Sequence, residues 1–315
     1  MQKAIPAGGR IAAMLYALPL LFPIASQHLP GQTGPPSPDS TISVNVDLVV
    51  LHATVRNRYG EFVSNLRKEN FQVLEDGAPQ TVRLFQHEDA PVAAGLIVDN
   101  SGSMARKRKD VTAAALAFVR SSNPRDEMFV VNFNERVTLG LPDTELFSAS
   151  DAELEKALNG VPASGATALY DAIEAGLVHL SKATLDKKVL IVISDGGDNA
   201  SRHKLSQVLE SAGRSDAIIY TIGLFDEADP DRNPGVLMKI AHATGGESFL
   251  PTETSQVVVV CKRIAEDIRN QYAIGYIPSN QELDGAYRTI NVMATGPHGE
   301  KLVVRTRAGY SWHKL

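Results

Sequence analysis

The stretch Val92-Ala-Ala-Gly-Leu-Ile-Val-Asp-Asn-Ser-Gly-Ser-Met104 joins a run of apolar residues to a short loop of oxygen-bearing side chains. Residues 92–98 are apolar without interruption, which is typical of a strand buried on both faces of a parallel sheet. The loop then places carboxylate and hydroxyl groups at alternate positions, and Gly102 relieves crowding among them. The stretch therefore predicts a central strand that ends in a ligand-binding loop.

Strands and helices alternate from this stretch to about residue 270. Further buried strands are predicted at 128–133, 189–194 and 217–224, with an edge strand at 137–141 and a short strand at 248–250. Apolar residues at helical spacing predict helices at 105–121, 151–158, 169–180, 205–214, 236–243 and 257–268. This alternation predicts an α/β fold with a doubly wound, mostly parallel sheet that helices cover on both faces.

Two β-rich flanks surround this α/β unit. Apolar residues alternate with period two in residues 42–90 and again in residues 271–315. Asp76-Gly77 predicts a hairpin between residues 71–74 and 81–84. Each flank supplies only about three strands, which is marginal for independent stability. We therefore expect the flanks to pair into one β-sandwich-like domain into which the α/β domain is inserted; two separate β extensions are the alternative.

The N-terminus has the pattern of an export signal. Lys3 and Arg10 precede an apolar run at residues 11–25, which is too short for a comfortable membrane span. We predict a signal peptide at 1–26, with an uncleaved membrane anchor as the alternative. Pro, Gly, Ser and Asp dominate the next residues and predict a disordered linker at 27–41. The predicted domains that follow are 42–90, 91–270 and 271–315.

Composition excludes several kinds of protein. The net charge of the 315-residue chain is −5, which provides no electrostatic footprint for nucleic acid. Cys261 is the only cysteine, so neither an intrachain disulfide nor a cysteine-based zinc site can form. We interpret Cys261 as an inert core residue of the last helix.

Three loops carry oxygen ligands where the predicted parallel strands end. They are residues 99–103, 164–167 and 195–198, and ligand sites of α/β sheets lie at this edge. Their side chains offer two carboxylates and three hydroxyls, from Asp99, Ser101, Ser103, Thr167 and Asp195. Such hard oxygen donors suit Mg²⁺ or Ca²⁺ better than Zn²⁺ or Cu²⁺. Neutral hydroxyls leave the ion electron-poor and able to accept an outside carboxylate. Asp198 is interpreted as a loop solvation or capping residue instead of a sixth ligand.

These five residues resemble the metal-ion-dependent adhesion site, or MIDAS, of von Willebrand factor A domains. That motif is Asp-x-Ser-x-Ser followed by a distant Thr and a distant Asp, and the resemblance covers residues 91–270. The flanks are also similar to those of a bacterial family of exported, von Willebrand factor A-related proteins, on residues 71–77 and 271–278. The resemblance implies a Rossmann-like fold with one bound divalent ion.

The resemblance also implies a role for each ligand. Ser101 and Ser103 would bind the metal directly, and Thr167 would do so in a ligand-bound state. Asp99 and Asp195 would act through water or orient the hydroxyls. The expected cofactor is Mg²⁺, with Mn²⁺ and Ca²⁺ as alternatives, and the expected partner is a protein that presents Asp or Glu.

The predicted function is a metal-dependent, adhesion-type protein-binding module at the bacterial cell envelope, periplasmic or secreted, and not an enzyme. No nucleic acid is expected as a partner, and contact with a membrane is expected only through an uncleaved N-terminal segment. The alternatives are a metal-dependent hydrolase that uses Asp99 and Asp195, and a metal-independent structural or assembly factor. Ser101 lies in no Gly-x-Ser-x-Gly elbow, and the chain has no His-Glu-x-x-His motif.

Overall fold

The computed structural model describes residues 48–87, 89–225, 231–282 and 285–311. The predicted signal peptide and linker lie outside the described residues. The helices are α1 (Arg108–Ser121), α2 (Asp151–Leu158), α3 (Leu169–Leu180), α4 (Leu205–Arg214), α5 (Pro234–Ala243) and α6 (Val257–Arg269). The strands are β1 (Val49–Arg56), β2 (Phe71–Glu75), β3 (Ala78–Gln80), β4 (Val82–Gln86), β5 (Val92–Asp99), β6 (Glu127–Phe133), β7 (Val137–Leu139), β8 (Lys187–Ser194), β9 (Ile218–Gly223), β10 (Ser248–Phe249), β11 (Gln271–Tyr276), β12 (Tyr287–Ala294), β13 (Val303–Arg305) and β14 (Gly309–Ser311).

A mostly parallel sheet forms the centre of the α/β domain, in the order β10-β9-β8-β5-β6-β7. All eight residues of β5 are buried, because helices cover both faces of the sheet. Only β7 runs antiparallel to its neighbour. The predicted fold class, an α/β fold with a mostly parallel sheet and additional β structure, is confirmed.

The strand order reverses beside β5. The chain passes from β5 through α1 to β6 on one side, and it later places β8 on the other side. Successive connections therefore diverge at the carboxyl ends of β5 and β8. This divergence opens the edge of the sheet where ligands of such folds bind.

Helix α1 begins later than the sequence pattern indicates. The spacing predicted a helix from residue 105, whereas α1 starts at Arg108 after a short 3-10 turn at Gly102–Met104. The 3-10 turn keeps the backbone tight after Ser101, and residues 105–107 lie outside the helix. The predicted start of this helix at residue 105 was therefore wrong. The buried face of α1 is as predicted, with Val111, Ala115 and Phe118 in the core of the α/β domain.

Both flanks contribute strands to two antiparallel sheets, in the orders β13-β1-β11-β4 and β14-β12-β2-β3. Leu51 of β1 pairs with Ile274 of β11, and Val73 of β2 pairs with Val292 of β12. Apolar residues from both sheets form one core. Each flank alone would leave this apolar surface exposed, so pairing across the α/β domain stabilises both.

The predicted hairpin turn is present, but the strand that follows it differs from the prediction. Asp76 and Gly77 have φ angles of 48° and 81°, as a two-residue hairpin turn requires. The turn joins β2 to β3, whereas residues 82–86 leave the hairpin as β4 and pair with β11 in the other sheet. The predicted partner strand was therefore wrong, because the chain changes sheets at Thr81.

A buried ionic cluster attaches α6 to the antiparallel sheets. The carboxylate of Asp267 is fully buried and accepts hydrogen bonds from Arg56 Nη2 at 3.1 Å and Tyr220 Oη at 2.5 Å. Arg305 donates to the same carboxylate, and Glu247 lies 3.3 Å from Arg56 and 3.6 Å from Arg305. The cluster therefore connects α6 and β9 with β1 and β13.

No helix in the described part of the chain is long and apolar enough to cross a membrane.

Candidate metal centre

The loop after β5 is held in shape by its own polar groups. Asp99, the last residue of β5, accepts a hydrogen bond from Ser101 N on its Oδ1 at 2.8 Å. Asn100 N donates to Phe133 O at 2.6 Å, and Asn100 Nδ2 donates to Val98 O at 3.1 Å. The loop is therefore fastened to the ends of β5 and β6, with Ser101 almost wholly buried.

The hydroxyls of this loop meet the carboxylate of the loop after β8. Ser101 Oγ lies 3.2 Å from Ser103 Oγ, and Ser103 Oγ donates to Asp195 Oδ2 at 2.5 Å. In the opposite direction, Ser194 Oγ donates to Asp99 Oδ2 at 2.6 Å. The structure thus brings four of the five predicted ligands, all except Thr167, into one hydrogen-bonded chain.

The loop that carries Thr167 is joined to both of the others. Gly102 N donates to Gly165 O at 3.1 Å, and Thr167 N donates to Asn199 Oδ1 at 2.9 Å. Gly165 has a φ of 83° and lies against the Glu135 carboxylate, where an added Cβ would overlap. Only glycine fits there without strain, so this residue sets the path that leads to Thr167.

Two carboxylates are buried together at the centre of these loops. Asp99 and Asp195 are each 2% exposed. Burial raises the pKa of Asp99 to about 6, and the charge of Asp195 adds to this rise, whereas hydrogen bonds from Ser101 and Ser194 oppose it. A cation among these groups would offset the unfavourable burial of negative charge.

Lys107 and Arg108 donate hydrogen bonds to groups other than these carboxylates. Lys107 Nζ donates to Leu224 O at 2.7 Å, and Arg108 donates to the side chain of Asn100 and lies near Leu158 O. Both side chains therefore stand at the rim of the three loops.

Several supporting residues escaped the sequence-based prediction. Asn100, Ser194 and Asn199 orient the candidate ligands, and only their positions beside Asp99, Asp195 and Asp198 hinted at this. Asp198 accepts hydrogen bonds from Tyr170 N at 3.2 Å and Ser201 Oγ at 2.5 Å. Asp198 therefore caps the first turn of α3, and capping is one of the two roles predicted for it. That it is not a metal ligand stays a prediction.

The donor set fits a hard divalent cation. No group of three or more His, Cys, Asp and Glu side chains that could hold a metal ion occurs among the residues that the structure describes. The candidate donors are instead hydroxyls supported by two carboxylates, which suit Mg²⁺, Mn²⁺ or Ca²⁺. Convergence of the hydroxyls within 3.2 Å of each other is compatible with a shared ion.

Comparison with known proteins agrees with this geometry. A family model described as von Willebrand factor type A domain matches residues 95–197. Domains of this type are generally adhesion or interaction modules, and those with a MIDAS bind divalent metals. The matched residues include all five candidate ligands.

Similar proteins match the chain at low sequence identity. The "Uncharacterized protein sll0103" of Synechocystis sp. is 24% identical over 215 residues, which are 63% of this chain and 49% of that protein. The chain thus spans about half the length of the curated relative it matches. A solved structure of von Willebrand factor type A from Catenulispora acidiphila is 14% identical with a TM-score of 0.50, covering 85% of this chain and 74% of that one.

A further solved structure is that of proximal thread matrix protein 1 from the mussel byssus, with a zinc-occupied MIDAS motif. It is 15% identical with a TM-score of 0.47, covering 58% of this chain and 49% of that chain. The family match and the fold shared with the Catenulispora acidiphila structure agree with the arrangement of the three loops. Residues 95–197 therefore belong to a domain of the von Willebrand factor type A kind, which this chain contains.

Proposed function

We propose that the chain is a binding protein that holds one divalent metal ion on Ser101, Ser103 and Thr167 and uses it to grip an acidic side chain of a protein partner. The observation that carries the proposal is the hydrogen-bonded chain from Ser101 through Ser103 to Asp195. Hydroxyls from one loop and a carboxylate from another converge at the carboxyl edge of the sheet, as a metal site at this place requires.

Each group has a definite task in this proposal. Ser101 and Ser103 ligate through their hydroxyls, and Thr167 joins them when a partner is bound. Asp99 and Asp195 hold the loop and the hydroxyls in position, supported by the hydrogen bonds Ser101 N to Asp99 and Ser103 Oγ to Asp195. The ion, Mg²⁺ in the first place and Mn²⁺ or Ca²⁺ otherwise, supplies a Lewis-acid centre for a carboxylate oxygen.

The rim of the site favours an acidic partner. Lys107 and Arg108 extend from the loop that carries Ser103 and bond to groups at its edge. Positive charge beside a metal ion attracts a carboxylate and increases the rate of encounter. The partner therefore presents Asp or Glu to the metal.

We place the protein at the cell envelope or outside the cell. Support comes from the sequence of residues 1–26, whose basic start and apolar run are those of an export signal. We also propose that the domains begin at residues 42, 91 and 271. The protein then belongs to an exported bacterial subfamily.

Metal binding is tested by calorimetric titration of the full chain with Mg²⁺. Ser103→Ala removes one proposed ligand and the hydrogen bond to Asp195, so we expect the binding heat to disappear. Ser206→Ala changes an exposed serine of α4 and serves as the matched control. At a Mg²⁺ concentration of 100 times Kd, the wild type gains about 2.7 kcal/mol of stability. Normal binding heats in Ser103→Ala would overturn the ligand assignment.

Partner binding is tested by affinity capture from an envelope extract in Mg²⁺ and in chelator. We expect partners to be retained by the wild type in Mg²⁺ and released by chelator, and Ser103→Ala to retain none. Equal capture under both conditions contradicts a metal-dependent grip.

A further inference from the structure

A cleft lies at the edge of the parallel sheet opposite the candidate metal centre. One side of the cleft is a face of β1, β11 and β4. The opposite side is formed by residues 90–91 and 185–187, which lead into β5 and β8. The cleft has a volume of about 390 Å³, within the range of about 300–1,000 Å³ that is usual for small-molecule sites.

Small residues in the central strand create the cleft. Ala273 and Gly275 of β11 face it, because alternate residues of a strand share one face. A Cβ added to Gly275 would lie 2.7 Å from Leu84 Cβ and 3.0 Å from Leu48 Cδ2. Leu84 and Leu48 therefore pack directly over Gly275, and Ala273 lines the open part of the cleft, where a larger side chain would fill the space.

One wall of the cleft is apolar. Leu48 and Val50 of the β1 side and Leu84 of β4 line it together, with Leu185 opposite. These side chains face away from the core of the antiparallel sheets, which Leu51 and its neighbours fill. The wall thus offers an apolar surface that no described residue covers fully.

The polar end of the cleft contains a buried ammonium group. Lys187 is 6% exposed, and its ammonium donates to the backbone carbonyl of Ile268. No carboxylate of the described residues lies within ion-pair distance of it, although an ammonium has three donors to satisfy. His52 lies beside it and makes no hydrogen bond to a described residue. The charges of Asp267, Asp89 and Asp126 attract the ammonium from beyond ion-pair distance. Among the described residues only Ile268 O accepts a hydrogen bond from it, so its other donors favour an anion from outside.

The acids near the cleft restrict which anion fits. Asp186 is exposed at the rim, and Asp216 is 79% exposed with its carboxylate 4.0 Å from Arg307 Nη1. Two negative groups at the entrance disfavour a dianion such as a phosphate monoester. A single carboxylate meets less repulsion.

We propose that this cleft binds an aliphatic carboxylate, with the carboxylate on the Lys187 ammonium and the hydrocarbon chain against Leu48, Val50 and Leu84. The site combines a buried cation at one end with an apolar wall at the other, which is the chemistry of a fatty-acid-like ligand. It lies at the opposite edge from Ser101 and Ser103 and requires no metal ion.

Calorimetric titration of the full chain with octanoate at pH 7 in chelator tests the proposal. Lys187→Met removes the ammonium but retains an apolar stem, and we expect octanoate to bind about 10- to 100-fold more weakly. Lys188→Met is the matched control, because its side chain lies on the other face of β8. Octanoate that binds Lys187→Met as tightly as the wild type overturns the proposal.

Chain length and shape provide independent checks. From hexanoate through octanoate to decanoate, we expect affinity to rise about fourfold for each added methylene. Ala273→Leu fills the cleft and should abolish binding while leaving a cooperative unfolding transition, which shows that the fold survives. Affinity that is independent of chain length, or the absence of saturable binding of decanoate to the wild type, refutes the apolar wall as the binding surface.

Discussion

Asp267 joins α6 to the antiparallel sheets, and the variant Asp267→Asn measures how much this attachment contributes to stability. Its carboxylate is fully buried and receives hydrogen bonds from Arg56, Arg305 and Tyr220. An asparagine of the same shape removes the charge. It also turns an NH₂ group toward at least one of these donors, because only one of its two terminal atoms accepts.

The magnitude follows from the surroundings of the cluster. Removing one partner of a buried ion pair costs about 3–5 kcal/mol. Arg56 and Arg305 are 15% and 23% exposed and keep Glu247 at 3.3 and 3.6 Å. We therefore expect the lower end, a loss of about 3 kcal/mol in the free energy of unfolding. With an m-value of about 3 kcal/mol/M, the urea midpoint falls by about 1 M.

Urea unfolding followed by fluorescence and by circular dichroism is the assay, and coincident transitions establish that one free energy describes the process. Glu247→Gln is the matched control, because Glu247 is a quarter exposed and contacts the same arginines. We expect it to lose less than about 1 kcal/mol. If Asp267→Asn loses no more than Glu247→Gln, the buried carboxylate does not hold α6 in place and the reasoning fails.

Three further predictions concern the buried lysine, the loop glycine and the cysteine. Burial lowers the pKa of Lys187 to about 8, and the attraction of Asp267 opposes this shift. The unfolded chain therefore takes up a proton at a higher pH than the folded protein does. The contribution of Lys187 to the free energy of unfolding is most favourable above pH 10.5 and is lost as the pH falls through 8. Relative to Lys187→Met, the wild type should therefore gain about 3 kcal/mol between pH 7 and pH 10.5; a pH-independent difference in urea unfolding contradicts this. Gly165→Ala should lose about 1–2 kcal/mol and weaken Mg²⁺ binding, since its φ is 83°. Gly213→Ala, a helical glycine with open space around it, should gain up to about 1 kcal/mol in the same urea assay; equal effects would show that the Gly165 backbone is unstrained. Burial raises the pKa of the Cys261 thiol to about 12, so a thiol reagent should react only after unfolding. Rapid labelling of the native protein would contradict the burial of α6.

Part of the candidate metal centre could be predicted from the sequence. Asp99, Ser101 and Ser103 could be predicted as one cluster because they alternate in a short loop directly after a buried strand. That Ser103 would donate to Asp195 depends on β8 lying beside β5, although 92 residues separate the two in the chain. The supporting hydrogen bond from Ser194 to Asp99 has the same origin.

The cleft at the opposite edge was not predicted. One side of the cleft combines residues of β1, β4 and β11, and its polar end combines Lys187 with His52. None of these residues stands out in the sequence, since an isolated lysine at the start of a strand usually lies in solvent. Only the packing of the antiparallel sheet against the amino edge of the parallel sheet buries it.

The sequence by itself determined most of the helices and the turn at Asp76-Gly77, because the period of apolar residues and the demand for positive φ at Gly77 are local properties. Residues 151–158, 169–180 and 205–214 are helical within the predicted bounds for this reason. The tertiary structure alone decided that β4 leaves the hairpin to pair with β11, and that Asp267 meets Arg56 across 211 residues. Such contacts form where they satisfy buried hydrogen-bonding groups and charges, and that requirement arises only when distant segments have been brought together.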